Sequence, residues 1–450
     1  MKLIKLFQTD GFRQAALRLL FVLTIISILW SDYHRFGWEY TGPHHEALTA
    51  ASFAADNYDI PPLLLRARQC TSFIQTRSYW HEDYTPGIPF YRPLSLTWFW
   101  IEYHAFTPYH YNRWIAVSIC LQLLFCTLFG LFLRKLSGST SAALFTLCLF
   151  AGMRFGPISD FLECFRISEG VPGLVAVLAW KDQPTMLSDC ALLSALIFTQ
   201  REKWFAALFS AVVAVLFKEA GWITYALAFL MLAYQGKLSK VPKWVYVAAF
   251  IGIAIPMLAR DLSGMGVIGG YRVGHNYSWR TRYMYAVAGT FFADAINGGW
   301  PAGLLGVTLY GICRLQRTRL ILRVLAAAFA ASVAIWLQSR LLHAPYVEGF
   351  AIMLDPSMEL SYIILMFIFA VGAGLLVKER ELIKAAGLLI IYSFIAALCY
   401  VAALQVNIHA LELCYVCQAS VVGLAIAATF RSASHWLARC VETRIGQADA

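Results

Sequence analysis

The chain is 450 residues long, 60% hydrophobic and only 14% charged, with a formal net charge of +10. A soluble protein needs roughly 25% charged residues to cover its surface, so this composition excludes an ordinary soluble enzyme. The positive charge would point to nucleic acid in a soluble chain, but here it is distributed along the sequence in a way that has another reading and implies no nucleic-acid partner.

Taken in order, the first apolar run covers 17–30 and is followed by Ser31, Asp32, Tyr33 and His34, with no small-residue cleavage site. It reads as a retained first span rather than a signal peptide. Apolar runs of helical length then recur up to residue 430, separated by short polar breaks. Lipid forces each segment to satisfy its own backbone hydrogen bonds, and a bundle of spanning helices meets that demand. The expectation is an all-α polytopic membrane protein with 1–450 as a single transmembrane domain. Its spans are expected at 15–31, 113–133, 140–154, 184–200, 204–218, 221–235, 244–260, 301–314, 322–338, 361–377, 384–402 and 415–430. That makes about 12 crossings.

Charge orients the bundle. Compact basic clusters occupy every second break, from Lys2, Lys5, Arg13 and Arg18 at the start to Arg431, Arg439 and Arg444 at the end. Between them lie Arg134/Lys135, Arg201/Lys203, Lys237/Lys240/Lys243, Arg314/Arg317/Arg319/Arg323 and Lys378/Arg380/Lys384. These segments hold 21 of the 36 Lys and Arg but only 6 of the 26 acids. The positive-inside rule assigns them, and both termini, to the cytoplasm. The other connections, 32–112, 155–183, 261–300 and 339–360, then face outward. The stretch 79–111 of the first carries 12 aromatics among 33 residues, with His81, His104 and His110 between them. Helices lying in the headgroup region account for such a belt, but not for Glu82, Asp83, Arg92 and Glu102 within it.

Three external features carry chemistry. Asp32, Glu39 and Glu46 follow the first span, Glu46 within Pro43-His44-His45-Glu46-Ala47-Leu48. Tyr91-Arg92-Pro93-Leu94 opens an aromatic helix ahead of the second span, and Lys218-Glu219 ends the fifth. Ionisable groups near membrane depth are costly and mark function. The plainer readings are solvated loop acids, an arginine reaching toward headgroups and a local Lys–Glu ion pair. The cysteines sit mostly inside apolar runs, and Cys414 and Cys417 form a CxxC with no second pair. No His/Cys cluster has zinc spacing, so no obligatory metal or cofactor is expected.

In order and spacing, Tyr91-Arg92-Pro93-Leu94-Ser95-Leu96-Thr97, Tyr109-His110-Tyr111-Asn112, Leu133-Arg134-Lys135-Leu136, Lys218-Glu219 and 413–425 resemble a family. It is the GT-C class of glycosyltransferases that use polyprenyl-phosphate sugars. The nearest branch is that of the YRPL-containing transmembrane protein O-mannosyltransferases with tetratricopeptide repeats, and their bacterial relatives. The chain departs from it at Cys414, where the family has arginine, and at His45-Glu46, where it has an acidic pair. The loop 155–182 is longer, and no repeat domain follows the last span.

The resemblance implies a GT-C-like fold with a helical first external loop. It also implies a glycosyltransferase moving a sugar from a lipid phosphate to a hydroxyl acceptor, with inversion, on the external face of a bacterial inner membrane. Such transfer needs a carboxylate to take the acceptor proton and fixed positive charge for the departing phosphate. Glu46 is the first choice of base, with Glu39 and Asp32 behind it. Lys218, Arg92 and Arg282 are expected at the phosphate, Glu219 and Tyr91 in support, and Lys181 and Asp182 on the acceptor side. The partners implied are membrane polyprenyl phosphate and a glycan, lipid or protein acceptor. An oligosaccharide ligase or polymerase of the same fold, and a transporter or lipid flippase, remain open alternatives.

Overall fold

The computed structural model describes residues 60–82, 91–106, 111–140, 183–263, 305–309, 320–342, 370–377, 379–398 and 420–429, with isolated positions beside them. Every element among the described residues is helical. The principal α-helices are α1 (Ile60–Gln69), α2 (Pro93–Phe106), α3 (Tyr111–Ser137), α4 (Gln183–Gln200), α5 (Trp204–Phe217), α6 (Ile223–Tyr234), α7 (Lys243–Leu262), α8 (Leu320–Leu342) and α9 (Arg380–Leu398). Short 3-10 helices lie at Phe73–Trp80, Glu219–Trp222 and Leu238–Lys240.

Two of the helices, Ala116–Ser137 within α3 and Lys243–Leu262, are long and apolar enough to cross a membrane. Expected spans 184–200, 204–218 and 244–260 coincide with α4, α5 and α7 to within two residues. The expected 113–133 ends too early, because α3 carries Arg134 and Lys135 on to Ser137 and stops only at Gly138, whose φ of 65° no other residue adopts as cheaply. Likewise α9 starts at Arg380 rather than 384, with Glu381 in its first turn, where a carboxylate favours the positive helix end. The runs 15–31, 140–154, 301–314, 361–377 and 415–430 lie wholly or partly outside the described residues.

Helix α4 is central. It is buried almost all round, polar residues such as Gln183, Thr185 and Ser188 included, and it packs against α3, α5 and α6. A tight left-handed turn at Glu202 (φ 57°) returns the chain into α5, with the Lys203 N–H closing on Phe198 O at 2.9 Å. Gly236 ends α6 in the same way, its successor Lys237 donating to Leu232 O at 2.9 Å. Tyr392 of α9 donates its hydroxyl to Leu227 O of α6 at 2.7 Å and stacks on Phe132 of α3.

Polar side chains share the apolar interior, while large apolar ones lie outside. Ser95, Ser118, Gln183, Thr185, Ser188, Lys218, Thr224 and Arg260 are buried, while Phe205, Phe209, Phe250, Ile255, Leu258 and Phe329 are exposed. In α7 the contrast sits on one helix: Gly252, Pro256 and Arg260 face inward, and Trp244, Val247, Ile251 and Leu262 face out. Gly252 lets Tyr225 of α6 approach so closely that a Cβ there would lie 2.6 Å from its hydroxyl.

One end of the bundle gathers the basic breaks. Lys135 Nζ donates to Gln200 O at 2.9 Å, Lys237 Nζ to Glu202 Oε1 at 2.9 Å, and Arg431 to Ser139 Oγ at 2.7 Å and Glu379 Oε2 at 3.5 Å. The first loop forms a small unit of its own. Leu63, Tyr79, Leu96 and Phe99 make its core, and Trp100 Nε1 and His104 Nε2 meet Cys70 O at 2.7 and 2.9 Å. Those contacts satisfy carbonyls at the end of α1 that no helix bond can reach, so His104 is a structural cap.

Candidate active site

The opposite end of the bundle, about 27 Å away along α4, holds the charged break between α5 and α6. Lys218 leaves the helix in an extended conformation (φ −154°, ψ 138°) and Glu219 opens the 3-10 turn. Gly221 makes this fold-back possible. A Cβ on it would lie 2.6 Å from Val215 N and closer still to the Ala214 carbonyl, so only glycine lets the turn lie on the last turn of α5. Thr224 Oγ1 donates to Gly221 O at 2.6 Å and Ser188 Oγ to Ala214 O at 2.9 Å, pinning the break from both sides.

Helix α2 supplies the second wall. Pro93 occupies its first turn, where a missing N–H costs nothing, and Ser95 Oγ donates to Phe217 O at 2.5 Å. That bond sets Arg92 directly over the break. Its Nε donates to Glu219 Oε2 at 2.7 Å and its Nη2 to Glu219 Oε1, a bidentate fork with side-chain exposures of 13% and 29%. The plain reading of Lys218-Glu219 as a local ion pair is thereby corrected. Glu219 takes its two hydrogen bonds from Arg92, while Lys218, 9% exposed, points to α4 and donates its Nζ to Thr185 Oγ1 at 2.7 Å.

Burial by itself would raise the Glu219 carboxyl, but the Arg92 charge and hydrogen bonds, helped by Lys218, outweigh it and hold the group at about 2. It is ionised at every physiological pH. Burial pushes the Tyr91 phenol up, so it stays protonated.

The third wall brings a residue that the sequence reading passed over. Arg260, 7% exposed near the end of α7, lies within electrostatic range of both Glu219 and Arg92. It looked like the end of a span beside Asp261; the signal was a cation inside the apolar run. Thr185 and Gln183 were also missed. Gln183 links the walls, accepting from Trp98 Nε1 at 2.6 Å and donating to Ser118 Oγ at 3.0 Å.

Of the expected site residues, Arg92, Lys218, Glu219 and Tyr91 are thus placed at or beside one cluster. Glu46, Glu39, Asp32, Arg282, Lys181 and Asp182 lie outside the described residues. Among the described residues no three His, Cys, Asp or Glu side chains converge as metal ligands. A separate open groove of about 470 Å³ is lined by Gln69, Cys70, Gln75, Arg77, Ser78 and His81. Most of those side chains are exposed, so the groove does not exclude water as a group-transfer site must. The chain matches no protein-family model, no curated protein and no solved structure.

Chemically, the cluster concentrates positive charge, as the binding of an anion requires. Three cations from three separate elements converge on one carboxylate in a largely buried place, where charge acts strongly.

Proposed function

We propose that the chain is a polytopic membrane glycosyltransferase of the GT-C class, with 1–450 forming one domain of about 12 spans. It takes a sugar from a polyprenyl phosphate and passes it to a hydroxyl acceptor at the non-cytoplasmic face. The observation that carries this is the convergence of Arg92, Lys218 and Arg260 at the end of the bundle opposite the basic breaks. The outward face of Phe205, Phe250, Ile255 and Phe329 around buried Lys218 and Arg260 supports the membrane setting, since lipid accommodates such a face.

Helix lengths support a recessed site. Helix α5 has 14 residues, about 21 Å of rise against a hydrocarbon core of about 30 Å. A helix starting at the cytoplasmic boundary therefore breaks below the far one. Irregular backbone and charge at that depth are tolerated where they line a protein-walled cavity.

In the reaction, the acceptor oxygen attacks the anomeric carbon from the face opposite the lipid phosphate. The carbon–oxygen bond to phosphate breaks, its electron pair leaves on the phosphate, and the configuration inverts. Lys218 and Arg260 stabilise that developing charge. Arg92, whose two-pronged fork rests on Glu219, is the third cation offered to the phosphate. Glu46, with Glu39 and Asp32 as reserves, takes the acceptor proton.

The test is to incubate purified protein with a panel of polyprenyl-phosphate sugars and a mixed extract supplying glycan, lipid and protein hydroxyl acceptors, and to follow released lipid phosphate. Release with one donor, lost in Lys218→Gln and Arg260→Gln, supports the reading. Absence of release with every donor, or release untouched by both substitutions, overturns it.

A further inference from the structure

Glu219 has no evident reason to be in a phosphate seat. A carboxylate repels phosphate, and an arginine beside lipid does not need a buried acid to hold it. Its placement is specific, however. It takes two hydrogen bonds from Arg92 in the planar fork arrangement that guanidinium also offers to phosphate oxygens. It also lies within electrostatic range of Lys218 and Arg260, the other two cations of the seat. Its neighbour Lys218 donates to the neutral Thr185 hydroxyl. The backbone around it is fixed by Gly221 packed on Ala214 and by the Ser95–Phe217 bond. The carboxylate is therefore held on the cations by built structure.

We propose that Glu219 is a resident counter-anion that competes with the lipid phosphate for the Arg92 fork, so that it weakens phosphate binding and speeds release of the spent carrier. This rests on the reading of the break as a lipid-phosphate seat. It adds that the seat is tuned against its own product. Before transfer, the donor phosphate is a diester with one negative charge; after transfer it is a monoester with up to two. A fixed negative charge repels the second more than the first, so Glu219 favours exchange of spent carrier for fresh donor. Glu219 is a positioning residue acting through Arg92, and forms no bond to substrate.

The test uses the full-length protein in detergent and farnesyl phosphate as a short polyprenyl monophosphate, with farnesol as a tail-only control. Removing the charge in Glu219→Gln is expected to tighten farnesyl phosphate binding at least about fivefold, a usual size for coupling between two ligands of one site. Farnesol binding should not change, and product inhibition of transfer should tighten by a similar factor. Glu219→Asp keeps the charge and the fold while drawing the carboxylate back from the fork, and an affinity between those of wild type and Glu219→Gln is expected. Unchanged or weaker binding in both folded variants overturns the counter-anion role and leaves the phosphate seat standing. If wild type binds farnesyl phosphate no better than farnesol, the seat itself falls, and the inference with it.

Discussion

Arg92 and Glu219, 127 positions apart in the chain, meet in a two-pronged ion pair that joins the start of α2 to the break between α5 and α6. Removing one partner leaves the other charge in a poorly solvated place, which costs more than the pair contributes when intact. Arg92→Gln or Glu219→Gln alone is therefore expected to destabilise the protein by about 2–3 kcal/mol, allowing for partial exposure. The double variant should recover part of that loss. Thermal unfolding of all four proteins in detergent gives the cycle, and strictly additive losses would show that the pair is uncoupled.

Acid sensitivity should carry the mark of the same pair. The Glu219 carboxyl is depressed from 4.5 to about 2 in the folded protein, so its contribution is complete above the ordinary value and is lost as pH falls toward 2. Wild type is expected to lose more stability than Glu219→Gln between pH 4.5 and 2, and neither should differ in slope from pH 5 to 8 on this account. Parallel acid limbs would remove Glu219 as the cause.

Two of the glycines, Gly221 and Gly236, separate packing from conformation. Gly221→Ala drives a methyl into the Ala214–Val215 backbone and is expected to cost about 3 kcal/mol and to abolish phosphate binding. Gly236→Ala meets nothing within 4 Å and strains only a φ of 65°, so it should cost about 1 kcal/mol with function kept. Equal effects in unfolding and farnesyl phosphate binding would contradict this account of the break.

At the seat, Lys218→Gln and Arg260→Gln are each expected to lower kcat/KM for lipid-phosphate release about 100-fold, the usual loss for a fixed donor aimed at developing charge. Thr185→Val, which removes only the Lys218 anchor, should lose about tenfold, mostly in kcat. A Thr185→Val defect as large as that of Lys218→Gln would make Thr185 more than an anchor.

Sidedness is checked by impermeant maleimide labelling of single cysteines in a cysteine-free background. Replacement of Arg77 should label from outside intact cells, and replacement of Lys240 only after permeabilisation. The reverse order would invert the topology.

The sequence by itself determined the all-helical class, several of the helices and the clustering of cations at their ends. Apolar runs bounded by charge and glycine place α4, α5 and α7 almost to the residue, because helix formation and termination are local. It also singled out Arg92, Lys218 and Glu219, since charge beside a long apolar run is rare enough to notice. It could not pair them. The neighbour in sequence, Lys218, turned out to reach Thr185, and Glu219 found Arg92 on another element. Arg260 stayed hidden as the ordinary end of a span until α7 packed the face of Val245, Gly252 and Pro256 inward and carried Arg260 with it. Side-chain pairing depends on which helices lie side by side, and that follows from contacts such as Ser95 to Phe217 and Gly221 to Ala214, made between residues distant in the chain or folded back on a break. The cations were written in the sequence; the seat they form was decided only when α2, α5 and α7 came together around the break.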